Sequence, residues 1–138
     1  MRSRFERLQV PSAVAVGGAL GSLMRWGVAG AIPSVGFPWA TLMTNLTGCF
    51  ALGVVLVFGE VVGSRRHRHH ARPWARLWRP FMATGVLGGF TTFSTFVLEA
   101  VRRDALTSGI YVVMSLGFGL AAYWSGNVGA RKAFGVRA

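Results

Sequence analysis

Gly85-Val86-Leu87-Gly88-Gly89-Phe90-Thr91-Thr92-Phe93-Ser94-Thr95-Phe96 sits inside an uncharged run that extends from Pro80 to Leu98. An uncharged run of that length predicts a helix across a bilayer, whose core of about 30 Å needs about 20 apolar residues. Polar groups at that depth are costly, so they mark function or helix contacts. Here two adjacent glycines, four hydroxyls and three phenylalanines share the middle of the span. A regular helix can satisfy this backbone, with each hydroxyl bonding back to the turn before it. Yet glycine pairs and β-branched threonines weaken a helix. Non-helical backbone at membrane depth is tolerated only where it is buried in protein or lines a wet cavity. The favoured reading is a helix broken mid-membrane, whose freed carbonyls suit a hard cation and whose freed N–H groups suit an anion.

Three further uncharged runs extend the pattern, Leu8 to Met24, Trp26 to Gly59 and Ala105 to Ala130. The second is divided by the turn Pro33-Ser34-Val35-Gly36-Phe37-Pro38. Residues 1–138 are therefore read as a single transmembrane domain of an all-α membrane protein, with four transmembrane helices at about 11–32, 38–60, 80–102 and 106–127 and a basic loop at 61–79. Composition agrees. Hydrophobic residues make up 52% and charged residues only 14%, whereas a soluble domain carries about 25% charge. Each segment is apolar all round, which argues against an amphipathic soluble bundle. The first segment lacks the basic n-region, short h-region and A-x-A site of a signal peptide. Cys49 is a lone cysteine within the second helix, so no disulfide framework or CxxC metal site is expected, and it reads as a small packed residue.

The charge is lopsided, with 15 Lys+Arg against 4 Asp+Glu. With four spans, the N-terminus, the 61–79 loop and the C-terminus share one side. Twelve basic residues lie there: Arg2, Arg4, Arg7, Arg65, Arg66, Arg68, Arg72, Arg76, Arg79, Arg131, Lys132 and Arg137. The other side holds Arg102 and Arg103. Cytoplasmic loops collect Lys and Arg, so both termini are expected in the cytoplasm. Within the loop, Arg65-Arg66-His67-Arg68-His69-His70 raises two sharper possibilities, a nucleic-acid patch and a histidine metal site. No aromatic platform accompanies the arginines, and no Cys or acidic ligand accompanies the histidines. A solvated topology determinant that also touches anionic membrane lipid is the better account.

Other polar residues lie inside the spans. Gly17 and Gly21 form a small-xxx-small face for close helix approach. Arg25, about two-thirds along its helix, either snorkels to the interface as an anchor or lines a wet vestibule that draws anions. Asn45 is the one amide in the first three spans. It serves either a helix–helix hydrogen bond or as an NH₂ donor aimed at an anion. Glu99 and Arg25, an acid and a base near helix ends, each offer charge to a neighbour; Glu99 is given no catalytic role.

Three motifs now stand together: Gly21-x-x-x-Arg25-Trp26, Pro38-Trp39-Ala40-Thr41-Leu42-x-x-Asn45-x-x-Gly48, and Gly88-Gly89-x-Thr91-Thr92-Phe93-Ser94-Thr95-Phe96. In this order the chain resembles the Fluc/CrcB fluoride channels. The T-T-F-S-T-F run after G-G is the specific element, and GxxxR alone would be weak. Ala40 and Thr44 stand where the family usually has glycine and valine. The fourth helix is read as having Ser115 and Ser125 but lacking the tyrosine that some members carry on a polar track.

The resemblance implies a fluoride-specific channel subunit that exports fluoride passively and lowers its cytoplasmic level, in the plasma membrane of a prokaryote. It implies an antiparallel, inverted dimer with two pores. Phe93 and Phe96 would be pore phenylalanines, Asn45 the pore amide, Ser94 and Thr95 its hydroxyl neighbours, and Arg25 the vestibule arginine. The carbonyls of Gly88 and Thr91, with those of the partner, would hold a structural sodium ion. The basic bias opposes insertion in both directions by one chain, so the expected partner is an oppositely oriented paralogue.

An enzyme is the rival from another class, and the spans hold no acid pair, nucleophile–His–acid set or metal cluster for it. A nearer rival is a small multidrug-resistance-type exporter. Proton-coupled export of cations calls for a carboxylate inside a span; the first helix has none, and Glu99 comes late in the third.

Overall fold

The computed structural model describes residues 4–33, 36–65 and 74–136, and within them it is entirely helical or irregular, with no strand. Helix α1 spans Arg4–Ala31 and α2 spans Trp39–Arg65. A third helical run begins with α3, Trp74–Arg79, and continues as a π-helical stretch, Pro80–Leu87. One further turn, α4, Gly88–Phe90, precedes α5, Phe93–Val101. The chain ends in α6, Ala105–Phe134. At 27 residues α2 is about 40 Å long.

The helices run past the expected boundaries. Helix α1 starts before Pro11 rather than at it, and α2 continues through the first residues assigned to the basic loop. An uncharged run locates the apolar part of a helix, whereas backbone hydrogen bonding continues into the charged residues that flank it. What remains between α2 and α3, residues 66–73, lies outside the described residues and includes His67, His69 and His70.

Among the described residues, three stretches are long and apolar enough to cross a membrane: Trp39–Gly63, Arg76–Val101 and Ala105–Phe134. Helix α1 is long enough, at 28 residues, but Gly17, Gly18, Gly21, Ser12 and Ser22 dilute its apolar content. Those small residues have a packing role. A Cβ on Gly17 would strike the Phe81 carbonyl, and one on Gly21 would strike the Val86 carbonyl and lie 2.7 Å from Phe90 N. From the other side, a Cβ on Gly89 would meet Gly18 backbone. Helix α1 thus lies backbone-to-backbone on the π-helical stretch and α4, an approach that only glycine permits. A second such seam joins α2 to α6, where Gly53 faces the backbone of Tyr123 and Asn127, and Gly126 faces that of Phe50.

Between the seams a small core gathers Leu42, Phe96, Ala100 and Tyr111, with Phe37, Leu46, Val112 and Met114 against it. Elsewhere the apolar side chains point outward: Trp26, Val101, Leu106, Val113 and Leu120 are each more than 70% exposed. An apolar exterior of this extent is stable against lipid or a second chain and not against water. This is a multi-pass membrane protein.

The α5–α6 corner is closed by polar caps. The Asp104 carboxylate accepts from Thr107 N at 3.0 Å, starting α6. That backbone N–H holds the Asp104 carboxyl below its ordinary range. The last turn of α6 closes on Gly135 in the left-handed region, φ 65°, with Val136 N donating to Arg131 O.

Candidate functional site: the extended pair at Thr91–Thr92

Between α4 and α5 the backbone leaves the helical region for two residues. Thr91 has φ −75°, ψ 159° and Thr92 has φ −144°, ψ 121°. A side chain from another helix stabilises this departure. Thr92 N donates to Asn45 Oδ1 at 2.9 Å, and Asn45 Nδ2 donates to Thr92 O at 3.1 Å. The amide of α2 therefore clasps both polar groups of one peptide-bearing residue in the extended pair. Gly48, one turn on, supplies the space: a Cβ there would overlap the Thr91 methyl.

The clasp redistributes hydrogen bonds. In an uninterrupted helix Thr92 N would donate to the Gly88 carbonyl, but here it goes to Asn45. Likewise Thr95 N would donate to the Thr91 carbonyl, but here it goes to Thr92 Oγ1 at 3.2 Å, capping α5. Gly88 and Thr91 thus each lose the donor that a helix would give their carbonyls. Thr91 itself turns its hydroxyl to Leu87 O at 2.9 Å.

A cleft of about 360 Å³ opens on one side of the pair, lined by Asn45, Cys49, Thr91, Phe93, Phe96 and Ser115 among others. The Ser115 hydroxyl is buried there without a hydrogen-bond partner among the described residues. Phe93 and Phe96 lie 5.8 Å apart between ring centroids, yet their settings differ. Phe96 is 8% exposed, packed 5.1 Å from Tyr111, whereas Phe93 is 76% exposed on the surface of the single chain. On the other side a cavity of about 280 Å³ is lined by Ser22, Arg25, Trp26, Thr41, Thr44 and Thr95, with Ala29, Ala40 and Thr92 completing it. Arg25 is half-buried, and its Nε has no hydrogen-bond partner among the described residues. Ser94 is exposed beside this network, 3.4 Å from Thr92 Oγ1.

The structure brings Asn45, Gly88, Thr91, Phe93 and Phe96 to one cleft and places Arg25 and Thr95 on the second cavity, so the site residues are divided between two spaces. Asn45 does make a helix–helix hydrogen bond; its amide keeps one N–H beyond it. Arg25 and Glu99 do not pair. Glu99 accepts from Tyr111 Oη at 3.0 Å, and among the described residues the ion pair is Arg131–Glu60. Tyr111 also corrects the reading that the fourth helix lacks a relevant tyrosine. Fully buried, it sits one turn before Ser115 on α6 and touches Phe96 and Phe37. Tyr111 and Thr92 are the members that sequence reasoning missed. The signal for Tyr111 was an intramembrane acid, Glu99, in need of a donor; nothing local distinguishes Thr92 from the other hydroxyls.

The family described as "CrcB-like protein, Camphor Resistance (CrcB)" matches residues 12–127. The chain belongs to the CrcB family. The match takes in the clasp, both cavities and most of each of the four long helical runs. A "Fluoride-specific ion channel FluC" from Rhizobium leguminosarum bv. trifolii (strain WSM2304) is 43% identical over 120 residues, 82% of this chain and 89% of that protein. One of the same description from Agrobacterium fabrum (strain C58 / ATCC 33970) is 40% identical over 130 residues, 88% of this chain and 95% of its own. "Fluoride-specific ion channel FluC 1" from Rhodococcus jostii (strain RHA1) is 44% identical over 103 residues, 75% of this chain and 70% of its own.

Proposed function

We propose that this protein is a fluoride channel subunit that lets fluoride leave the cytoplasm down its gradient in a bacterial plasma membrane. The observation that carries this is the Asn45–Thr92 clasp beside Phe93 and Phe96, in a chain whose CrcB relatives are described as fluoride-specific channels. Fluoride is small and strongly hydrated, so a pore must replace its water with fixed donors. The remaining N–H of Asn45 and the hydroxyls of Ser94 and Thr95 supply donors. The ring edges of Phe93 and Phe96 add positive charge without removing the apolar constriction. Arg25, with an unpartnered Nε facing the smaller cavity, acts at the vestibule. The multidrug-exporter reading is not favoured, because Glu99 is bound to Tyr111 and these relatives are described as fluoride channels.

The assembled state belongs to the same proposal. Helix α1 completes a four-span subunit whose third span is broken at membrane depth by Thr91–Thr92. Two subunits pair in opposite orientation, and the exposure of Gly88 and Phe93 supports an interface there. The Gly88 and Thr91 carbonyls, relieved of helical donors by the clasp, fit a hard cation, and a sodium ion shared with the partner's carbonyls would brace the break electrostatically. Twelve basic residues against two put both termini in the cytoplasm, so the partner is a paralogue of opposite bias. The basic segments on that side also touch anionic lipid headgroups.

Fluoride efflux from proteoliposomes, read with a fluoride electrode beside a chloride control, tests the activity. Absence of fluoride release, or equal release of chloride, would refute it. Cysteine labelling of both termini in cells expressing this chain alone tests orientation, and equal labelling from both sides would refute the paralogue.

A further inference from the structure

Among the described residues Thr92 alone is common to the linings of the two cavities. One buried residue, 9% exposed, therefore separates a cleft that holds Phe93 and Phe96 from a cavity that holds Arg25. Its backbone is held on both polar groups by Asn45, so the peptide cannot swing aside. Its side chain has more freedom. Thr92 Oγ1 accepts from Thr95 N at 3.2 Å and carries one proton, with two hydroxyl oxygens in reach: Thr95 Oγ1 at 3.0 Å and Ser94 Oγ at 3.4 Å. A hydroxyl proton with alternative acceptors can turn to a passing anion and return.

We infer that Thr92 is the partition across which the ion moves between the two cavities, and the specificity-determining residue at that crossing. This rests on the fluoride-channel reading above. The methyl group narrows the passage against anions larger than fluoride, and the hydroxyl donates to the ion when it turns away from Thr95 Oγ1. Gly48 fixes this arrangement, because its missing Cβ lets the neighbouring Thr91 methyl sit against α2 and sets the extended pair in the wall. The two halves of the side chain therefore carry separable tasks.

Two substitutions separate them in proteoliposomes, with this chain reconstituted alone and with any second subunit that co-purifies. Thr92→Val keeps the volume and removes the donor. Fluoride efflux should fall about tenfold or more, the loss expected of one hydrogen bond to an ion, with chloride still excluded. Thr92→Ser keeps the donor and the cap of α5 but removes the methyl. Fluoride efflux should remain within about threefold, and chloride efflux should rise at least about tenfold above protein-free liposomes. A purely structural cap would lower flux in Thr92→Val and leave Thr92→Ser selective, so the chloride result carries the distinction even where Thr92→Val fails to fold. Wild-type chloride exclusion in Thr92→Ser, or wild-type fluoride efflux in Thr92→Val, overturns the inference while leaving the channel reading intact. A wild-type protein that moves no fluoride overturns both.

Discussion

Replacing Asn45 with leucine keeps the volume in α2 and removes the clasp, leaving Thr92 N–H and Thr92 O without their partners. Thr92 is buried, so water cannot replace both bonds. A buried group left unsatisfied costs about 1–3 kcal/mol, which for two groups gives a loss of about 2–6 kcal/mol. Relaxation of Thr91–Thr92 back toward helix would restore the Gly88 acceptor, and it places the outcome in the lower half of that range. Asn45→Asp separates the two bonds. It keeps an oxygen to accept from Thr92 N but sets a second oxygen against the Thr92 carbonyl, and in the proposed pore it adds a negative charge beside the anion's path. Asn45→Asp should therefore unfold more easily than wild type, and its fluoride efflux should be lost at neutral pH. Unfolding by titration into SDS micelles, followed by tryptophan fluorescence, reads the stability, and Thr92 amide exchange reads the bond directly. If Asn45→Leu unfolds within about 0.5 kcal/mol of wild type and the Thr92 amide exchanges no faster, the clasp does not hold the break.

Phe93→Ile and Phe96→Ile should each impair fluoride efflux while the protein still elutes as an assembled species, because apolar volume stays and the ring edge is lost; unchanged efflux in both removes the pore assignment. Two glycines of α1 should respond with opposite sign. Gly21→Ala drives a Cβ into the Val86 and Phe90 backbone and should cost about 1–3 kcal/mol, whereas Gly27→Ala, with open space around it, should stabilise by about 0.5–1 kcal/mol through helix propensity; SDS titration of the two variants compares them. Asp104→Ala should lower the melting temperature at neutral pH through loss of the α6 cap. The carboxyl is held below its ordinary range in the folded chain, so its contribution is present above the ordinary carboxylate range and fades as pH falls through the lowered value; melts by circular dichroism should show wild type and variant converging in acid.

Much of this protein is legible in one dimension because a bilayer imposes one-dimensional rules. A run such as Ala105 to Ala130 without a charge has few places to be other than a membrane, and the arginines gather at the ends of such runs rather than inside them. The Gly88–Phe96 motif likewise announced unusual chemistry within a span, since glycine pairs and hydroxyls are costly there without a purpose. Helix ends were less legible, because backbone hydrogen bonding in α1 and α2 continues beyond the apolar residues that mark the span.

Residue chemistry and order along the chain marked Asn45 and the Gly88–Phe96 run as unusual; the roles expected of Phe93, Phe96 and the carbonyls of Gly88 and Thr91 are what the family resemblance implies. They could not say that Asn45 spends two of its hydrogen-bonding groups on Thr92, since that bond joins residues 47 positions apart and depends on how α2 meets the break. Nor could they distinguish Thr92 from Thr91, Ser94 and Thr95, four hydroxyls of similar chemistry in five positions. Only packing sets one of them in the linings of both cavities, turns another back onto Leu87, and leaves Ser94 exposed. The same holds for Tyr111, whose value lies in the Glu99 carboxylate and the Phe96 ring that α5 brings to it. Composition decides which solvent a segment must live in. Which of its polar groups face one another is decided by helix approach, and that approach is set by glycines meeting backbone across a gap that the sequence does not display.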